Sequence, residues 1–343
     1  MSVTSARSFG RHAGLTLLGL AALVALAAPL LAPHPPEAIL AQRNYAPPMR
    51  PRVLHDGNLR APFVYRQVRV SLIDRSYRED PSAPMPIRWF RGGRLLSLEP
   101  EAGPLLLFGA DELGRDVFAR VLYGARLSLG VTLAGVLGAL LLGAAAGGLA
   151  GGLGGRTDTL LMLVADFVLV LPGAYLVLAL RGLLPEQLAW SQLFLLLAGL
   201  FAVAGAPPVA RGVRAIVAGE RVRDYALAAT AAGAGSFRLI RHLLPAAAGF
   251  LAVEMVLLVP ALLVAEVTIS FLGLGFPEPT PSWGTMLQSA GNSVVLTDAP
   301  WILAPAAALF VVVLGVQLAV GRRTPAGVLA LETAPPATAL RGR

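Results

Sequence analysis

Long apolar stretches separated by shorter polar segments fill most of the chain after residue 100, and one more lies near its start. Six stretches are long enough for a helix to cross the roughly 30 Å hydrocarbon core of a lipid bilayer. They cover Gly14–Leu31, Leu127–Ala150, Thr159–Leu180, Trp190–Ala210, Ala246–Leu274 and Ala299–Val320. The pattern predicts an all-α integral membrane protein with six transmembrane helices.

The composition also favours a membrane protein. Of the 343 residues, 56% are hydrophobic and only 14% are charged, whereas soluble domains carry about 25% charged residues. The net charge of +8 comes from 28 Arg and no Lys. The chain has no Cys, which excludes disulfides and thiolate metal sites, and its four His show no ligand spacing. We therefore predict no catalytic residue and no metal site.

The charges of two polar segments predict the orientation in the membrane. The segment Arg211–Leu244 holds six Arg and only two acidic residues, whereas Gly275–Asp298 holds two acidic residues and no Arg. Positive charge stays on the cytoplasmic side. The first segment and, by counting spans, both termini are therefore expected in the cytoplasm, and residues 33–107 outside. The first stretch follows Arg7 and Arg11 like a signal peptide, but its length favours a retained anchor.

The expected outer segment divides into two parts. Residues 33–104 are rich in Pro and Arg, and "RQVRVSLIDRSY" and "MPIRWFRGG" within them favour short strands. The following "DELGRDVFARVLYGARLSL" (Asp111–Leu129) places Arg115, Arg120 and Arg126 among apolar residues at helical spacing. This pattern predicts an amphipathic helix at the membrane surface that leads into the second span.

Small and aromatic residues suggest how the spans pack and where they end. Gly143, Gly147 and Gly151 recur every four residues on one helical face, and such a face lets helix backbones approach closely in lipid. The turn "GLGFPEPTPSWG" (Gly273–Gly284) places Trp283 where an interfacial anchor is expected. Contact between this turn and an external binding protein is the alternative.

A polar, jointed segment at Arg223–Pro245 interrupts the apolar pattern. Asp224 is suited to cap a short helix, Tyr225–Ala232, and Gly233 to end it in a left-handed conformation. Ser236 is suited to cap a second helix, Phe237–Leu244, which Pro245 separates from the next span. We expect two short helices with a glycine joint.

The first of these helices presents a face with little side-chain bulk, formed by Ala228, Ala229 and Ala232. Docking of another protein is the favoured explanation, and a plain structured loop is the alternative. A DNA-reading helix-turn-helix is excluded, because the second helix is tied to the bilayer and cannot enter a major groove.

This segment resembles the "EAA" loop of ABC importer permeases. Ala228-Ala229 is followed after three residues by Gly233, and Leu244-Pro245 completes the pattern, although Leu227 stands where the family often has Glu. The motifs "GADELGRDVFARVLYGARLSLG", "DFVLVLPG" and "ISFLGLGFPEPTPSWGTML" are similar to those of the C-type subunit of the dipeptide, oligopeptide and nickel permeases. The similarity covers about Phe108–Gly321. The outer segment is longer than usual for that family, and the tail lacks the family's common acidic ending.

The resemblance implies a fold and a division of the chain. The fold would be the type-1 ABC importer permease fold over residues 108–321. Residues 1–32 would be a cytoplasmic N-terminus with the first span, 33–107 an extracytoplasmic loop or subdomain, and 322–343 a cytoplasmic tail. The location would be a bacterial-type inner membrane.

The resemblance also implies partners and a coupling role for the loop. The partners would be a second homologous permease, two ATPase subunits and an extracytoplasmic substrate-binding protein. The coupling residues would be Asp224, Ala228, Ala229, Gly233, Leu244 and Pro245. This chain would bind no cofactor, and ATP and Mg would be bound by the ATPase, since a chain without Lys has no phosphate loop.

Three carboxylates fall within predicted spans, namely Asp166, Glu254 and Glu266. Such residues are costly in lipid and usually face a bundle interior or a watery cavity. They are candidates for a translocation path, with hydrogen bonding between helices or a position near the interface as the alternative. Glu254 and Glu266 are twelve residues apart, about 18 Å along a helix, so they would not share a site.

Other functions remain to be weighed against peptide import. Import of nickel chelates, oligosaccharides or modified peptides would use the same architecture. A self-sufficient channel or carrier has no need of a docking loop. An intramembrane enzyme would need Ser/His or paired Asp residues on facing spans, yet no His falls in a predicted span and Asp166 is the only Asp in one.

Overall fold

The computed structural model of the chain describes residues 3–55, 57–70, 76–99, 102–171 and 189–320. Helices account for nearly all of the described chain after residue 116. The α-helices are α1 Val3–Leu26, α2 Ala28–Leu31, α3 Val117–Leu153, α4 Gly155–Val170, α5 Trp190–Arg221, α6 Asp224–Ala231, α7 Ser236–Leu243, α8 Ala248–Phe271, α9 Trp283–Gln288, α10 Ser293–Asp298 and α11 Ala304–Val320. Short 3₁₀ turns lie at Leu244–Ala247, Ser289–Gly291 and Pro300–Leu303.

Four helical stretches within the described residues are long and apolar enough to cross a membrane. They are Val117–Leu153, Trp190–Arg221, Ser236–Phe271 and Pro300–Val320. The apolar part of the first helix, Gly10–Leu26, is shorter. The predicted stretch Thr159–Leu180 is helical as far as Val170, and its residues after 171 lie outside the described part. The helical, multi-span fold is confirmed, and the count of six spans stays a prediction.

The helix expected at Asp111–Leu129 leads into the second span as predicted, but it begins only at Val117 and is the first part of α3 rather than a surface helix. Residues 111–116 are not helical. Asp116 caps the start of α3, because its side chain accepts a hydrogen bond from the backbone N–H of Phe118. From Val117 the helix runs without a break to Leu153. Arg120, expected on a wet face, is only 1% exposed because its guanidinium is paired with acidic side chains.

The predicted glycine face of α3 packs against α5, as expected. A Cβ atom on Gly143 would lie 2.5 Å from the Cβ of Val209, and one on Gly147 would lie 2.3 Å from the carbonyl oxygen of Ala210. A Cβ atom on Gly151 would meet the backbone of α5 in the same way. The backbones therefore approach too closely for any side chain, as small-residue faces allow in membranes.

Further contacts complete the helical bundle. Helix α1 packs along α11, where Gly14 lies against the backbone of Ala319 and Gly315 lies against Leu18. Helix α8 crosses α3, and the short helix α9 is wedged beside both. The main apolar core lies between α3, α5 and α8, with Val131, Val136, Leu197, Phe201 and Leu262 among its buried members.

The described residues between 40 and 110 fold around a core of their own and contain strands, so all-α is the wrong class for this part of the chain. The strands are β1 Arg52–His55, β2 Asn58–Arg69, β3 Tyr77–Pro86, β4 Arg88–Arg91 and β5 Arg94–Ser97. The first three form an antiparallel sheet in the order β1-β2-β3, and β4 and β5 form a hairpin. Ala46, Val64, Met85, Leu105 and Leu106 are buried together beneath them. The strand predicted within "MPIRWFRGG" is confirmed as β4, whereas "RQVRVSLIDRSY" covers the end of β2 and the start of β3, with residues 71–75 outside the described part.

Candidate functional site

The jointed segment consists of two short helices, α6 and α7, as predicted. Gly233 follows the end of α6 with a φ of +85°. Its N–H donates to the carbonyl of Thr230, and the N–H of Ala234 donates to the carbonyl of Ala229, both at 3.0 Å. These two bonds form a Schellman motif, which satisfies carbonyls at a helix end and favours glycine at this position.

Both predicted N-caps are wrong by one residue. Asp224 is the first residue of α6, and Arg223 before it has the extended backbone of a cap, with its carbonyl accepting from Ala226 and Leu227. Ser236 is likewise the first residue of α7, after an extended Gly235. Asp224 still places a carboxylate in the first turn, where the helix dipole favours negative charge.

The two short helices are fixed to the ends of α3 and α5. Ala226, Leu239 and Leu243 are buried in one cluster with side chains of α5, including Val213 and Val217. On the other side, Ile240 fills the space left by Gly152, since a Cβ atom there would lie 2.1 Å from it.

The length of the long helices explains how their ends can carry α6 and α7. Helix α3 has 37 residues and α5 has 32, which correspond to about 55 and 48 Å. A bilayer core is only about 30 Å thick. The surplus ends of the two helices therefore carry the loop.

The outward surface of the loop keeps the bare patch that the sequence predicted. Ala228, Ala232 and Gly233 are exposed, and Ala229 is half-buried. Large apolar side chains are also exposed in the same segment, and the sequence did not predict them. They are Val222, Tyr225, Leu227 and Phe237, the last of which is 78% exposed. A signal that could have revealed Phe237 is that it is the one apolar side chain of α7 left outside the buried set of Leu239, Ile240 and Leu243.

Charged groups lie beside this patch. The phenol of Tyr225 donates a 2.6 Å hydrogen bond to Oε2 of Glu220, and this bond raises the pKa of Tyr225 above its ordinary value. Arg223 forms a 3.0 Å ion pair with the same carboxylate. Arg238 and Arg241 are exposed on α7. The patch is therefore apolar at its centre and basic at its edge.

Leu244 and Pro245 join the loop to the next span. The predicted interruption of the helix at Pro245 is only a short 3₁₀ turn. Pro245 lies in the 3₁₀ turn Leu244–Ala247, and α8 begins directly afterwards. Leu244 is half-buried and contacts α3 at Gly148. Because proline fits the first turn of a helix, residues 236–271 continue as one apolar helical stretch.

The three carboxylates of the spans lie in different surroundings. Asp166 on α4 is exposed and forms an ion pair with Arg211 on α5. Asp158 lies about two helical turns before Asp166 on α4, and it forms an ion pair with Arg214 on α5. These pairs connect α4 to α5, which matches the alternative reading of Asp166 as a link between helices.

Glu254 and Glu266 both lie on α8. Glu254 is half-buried, one turn from Phe250 and one turn from Leu258, which touch α5 near Gly212 and Gly205. Glu266 is fully buried, and its Oε1 accepts a 2.8 Å hydrogen bond from Ser270. Glu254 is thus placed beside the Pro207-Pro208 region of α5, whereas Glu266 is enclosed by this chain.

The sequence did not predict an ion-pair network at the end of the bundle opposite the α6–α7 loop. Arg115 and Arg120 both pair with Glu278, which is more than 150 positions away, and Arg115 also pairs with Asp111 at 2.7 Å. Burial lowers the pKa of Arg115, but the carboxylates of Asp111 and Glu278 outweigh this and raise it overall. The network fastens the turn before α9 to the start of α3.

Trp283 is part of the same junction, and its predicted role as an interfacial anchor is wrong. Its side chain is 2% exposed, and its indole N–H donates a 3.0 Å hydrogen bond to the carbonyl of Val121. In the described part of the chain, no three His, Asp or Glu side chains are grouped closely enough to hold a metal ion.

Comparison with known proteins extends these observations. Residues 126–322 match the family model described as binding-protein-dependent transport system inner membrane component. The oligopeptide transport system permease protein OppC of Bacillus subtilis is 37% identical over 197 residues, which are 57% of this chain and 62% of the relative. The dipeptide transport system permease protein DppC of the same organism is 40% identical over 197 residues, which are 57% of this chain and 59% of the relative.

A putative peptide permease protein of Brucella ovis is 36% identical over 213 residues, which are 61% of this chain and 68% of the relative. The match spans less than two thirds of the two Bacillus proteins, and the strand-containing residues 40–110 lie outside the family model. Since the family model covers more than half of the chain, the protein belongs to the inner membrane components of binding-protein-dependent transport systems.

Proposed function

We propose that this chain is a permease subunit of an ATP-driven importer for peptides. The observation that carries the proposal is the loop α6–α7, an exposed small-residue patch held rigidly on the ends of two long helices. Relatives named as oligopeptide and dipeptide permeases support the substrate class. Nickel chelates or oligosaccharides are the alternative cargo for the same architecture.

Six spans with both termini in the cytoplasm form part of this proposal. The four long apolar stretches, the shorter Gly10–Leu26 and the helix Gly155–Val170 supply the six. The arginines of the α6–α7 loop support a cytoplasmic position for that loop. The strand-containing residues 40–110 would then lie on the outer side, where a substrate-binding protein would deliver its cargo.

The proposed importer divides transport and ATP hydrolysis between this chain and its partner subunits. A second homologous permease would complete the path, and two ATPase subunits would bind ATP and Mg and perform the hydrolysis. The ATPase would seat on the patch at Ala228, Ala232 and Gly233, with Phe237 and Leu227 as apolar contacts. Closure of the ATPase pair would move the loop. Since Ala226 and Leu243 are buried against α5, the movement would tilt the spans between inward-open and outward-open states.

The path for cargo would run along α8 near Glu254. This carboxylate is half-buried and one helical turn from the contacts of α8 with α5. Intramembrane carboxylates commonly line such routes, and a peptide's ammonium group is a fitting partner for it. Glu266 is enclosed and Asp166 is paired with Arg211, so both are weaker candidates for the path.

Two substitutions in the loop test ATPase docking. Gly233→Arg should remove the ATPase from the purified complex and leave membrane insertion intact. Because Gly233 has a positive φ, that substitution also strains the backbone by about 1–2 kcal/mol. Ala232→Arg adds the same bulk at a φ of −76°, so it separates a blocked patch from a distorted joint.

Ala61→Arg on the exposed part of β2 is the matched control, since it adds the same side chain on the proposed outer face. The measurement is the ratio of ATPase to permease after purification from membranes. If both loop variants retain the ATPase at the wild-type ratio, the account of the loop is refuted.

A further inference from the structure

The β4–β5 hairpin carries exposed aromatic side chains on an otherwise polar surface. Trp89 is 54% exposed and Phe90 is 74% exposed. Large aromatic side chains on a water-facing strand are unfavourable unless something covers them. Neither residue belongs to the core beneath the sheet, and the proposed function gives them no role.

The hairpin is attached next to the end of the first apolar helix. The guanidinium of Arg94 donates to the carbonyl oxygen of Pro33, two residues after α2 ends at Leu31. Strand β5 also packs beside α2, and next to it His34 and Arg91 help to line a cleft of about 550 Å³. The apolar side chains of Leu26 and Leu30 are exposed just before this point. With the first apolar helix spanning the bilayer, as proposed above, the hairpin lies at the level where that helix leaves the bilayer.

The composition of the hairpin fits the head-group region of a membrane. Trp and other aromatic residues concentrate at membrane–water interfaces, where an apolar ring and a polar edge are both accommodated. Within the described residues 88–99 there are three arginines, Arg88, Arg91 and Arg94, and one carboxylate, Glu99, which pairs with Arg88 and Arg91. A surplus of arginine is suited to lipid phosphates.

The backbone of Phe90 adds an independent observation. Its φ is +54°, a left-handed conformation that is unfavourable for a bulky residue. With three quarters of its side chain exposed, contacts within the chain recover little of that cost. Contact of the ring with lipid would recover it.

We propose that the β4–β5 hairpin is a membrane-interface anchor, in which Trp89 and Phe90 enter the head-group region and the surrounding arginines bind lipid phosphates. The anchor fixes the strand-containing residues 40–110 against the bilayer beside the first helix. It depends on the membrane position of α1 and α2 and not on the identity of the cargo. A protein partner on this surface is the competing explanation.

Spin labelling tests the anchor directly, because the chain has no Cys and a single introduced Cys gives a single label. Trp89→Cys, Phe90→Cys and the control Ser82→Cys, on the exposed part of β3, are each labelled with a nitroxide. The full chain is placed in nanodiscs of phosphatidylethanolamine and phosphatidylglycerol. Collision rates of the nitroxide are measured with oxygen, which prefers lipid, and with a water-soluble nickel chelate.

We expect the oxygen-to-nickel ratio to be several-fold higher at residues 89 and 90 than at residue 82. Equal ratios at all three positions in chains that have inserted would overturn the proposal. A low ratio at 89 and 90 that changes only when purified binding protein is added would also overturn it, in favour of a protein-docking surface.

Discussion

Single residues in the α6–α7 loop show which local features a sequence reveals. Gly233 was predicted from the small-residue context, and its φ of +85° agrees, because only glycine adopts this conformation without cost. Each observed N-cap, Arg223 and Gly235, lies one residue before the predicted one. Asp and Ser suit both the cap and the first turn of a helix, and the choice here follows the burial of Ala226 and Leu239 against α5.

Buried charges mark the limit of residue-level prediction. Arg115 and Arg120 have the spacing of a wet helical face, and nothing local distinguishes them from solvated arginines. Their partner Glu278 lies far along the chain, in a turn that packs on the start of α3. Only the assembled fold brings these charges together, which is also why Trp283 was placed at an interface and is in fact buried.

Glu254 carries the prediction at this scale. Glu254→Gln keeps the size of the side chain and removes its charge, so an attractive site for a peptide's ammonium group is lost. We expect a several-fold lower uptake rate, or a shift in preference among peptides of different charge, with unchanged amounts of protein in the membrane. The measurement is ATP-dependent uptake of labelled peptides into vesicles that contain the complete transporter.

Glu266→Gln is the matched comparison on the same helix. Glu266 is enclosed by this chain and bonded to Ser270, so its substitution should affect thermal stability more than peptide preference. If Glu254→Gln leaves both uptake rate and preference as in the wild type, Glu254 does not line the path.

At the level of helices, hydropathy located the spans but not their lengths. The predicted stretches Leu127–Ala150 and Trp190–Ala210 became helices of 37 and 32 residues. Hydropathy detects the portion of a helix that suits lipid, whereas the extensions of α3 are covered by protein. The α6–α7 loop covers one end of α3, and the junction at the start of α9 covers the other. The glycine face of α3 was predictable, because its spacing is local.

The contact of α3 with α5 gives the prediction at this scale. A Cβ atom on Gly147 would lie 2.3 Å from a backbone oxygen of α5, which cannot move aside without separating the helices. We expect Gly147→Ala to lower the free energy of unfolding by about 1–3 kcal/mol and to lower the melting temperature in detergent. Fluorescence-detected thermal unfolding measures this change.

The control for this prediction is Gly199→Ala on α5. A Cβ atom there meets nothing within 4 Å, and alanine favours a helix by up to about 1 kcal/mol over glycine. This variant should match or exceed the stability of the wild type. A Gly147→Ala protein as stable as the Gly199→Ala protein would contradict the close packing of α3 and α5.

For the whole molecule, the sequence was informative about the membrane part and much less so about residues 40–110. Apolar length and loop charge are one-dimensional signals, and they are sufficient for spans and for a proposed orientation. A sheet of order β1-β2-β3 depends on pairing between distant residues, such as Phe63 with Pro86. Alternating patterns suggested strands there, but could not show that Met49, Leu98 and Leu106 share a core.

The cargo is a property of the whole transporter, and a partner chain reports it most directly. In the proposed system a separate binding protein selects the cargo and presents it to this permease. Native mass spectrometry of that binding protein, purified without unfolding, should show a series of short-peptide masses. The spread of the masses would also give the range of peptide lengths that the path between α5 and α8 has to admit. A single non-peptide mass, such as a metal chelate or a sugar, would leave the docking loop and the spans as they are and replace peptides as the cargo.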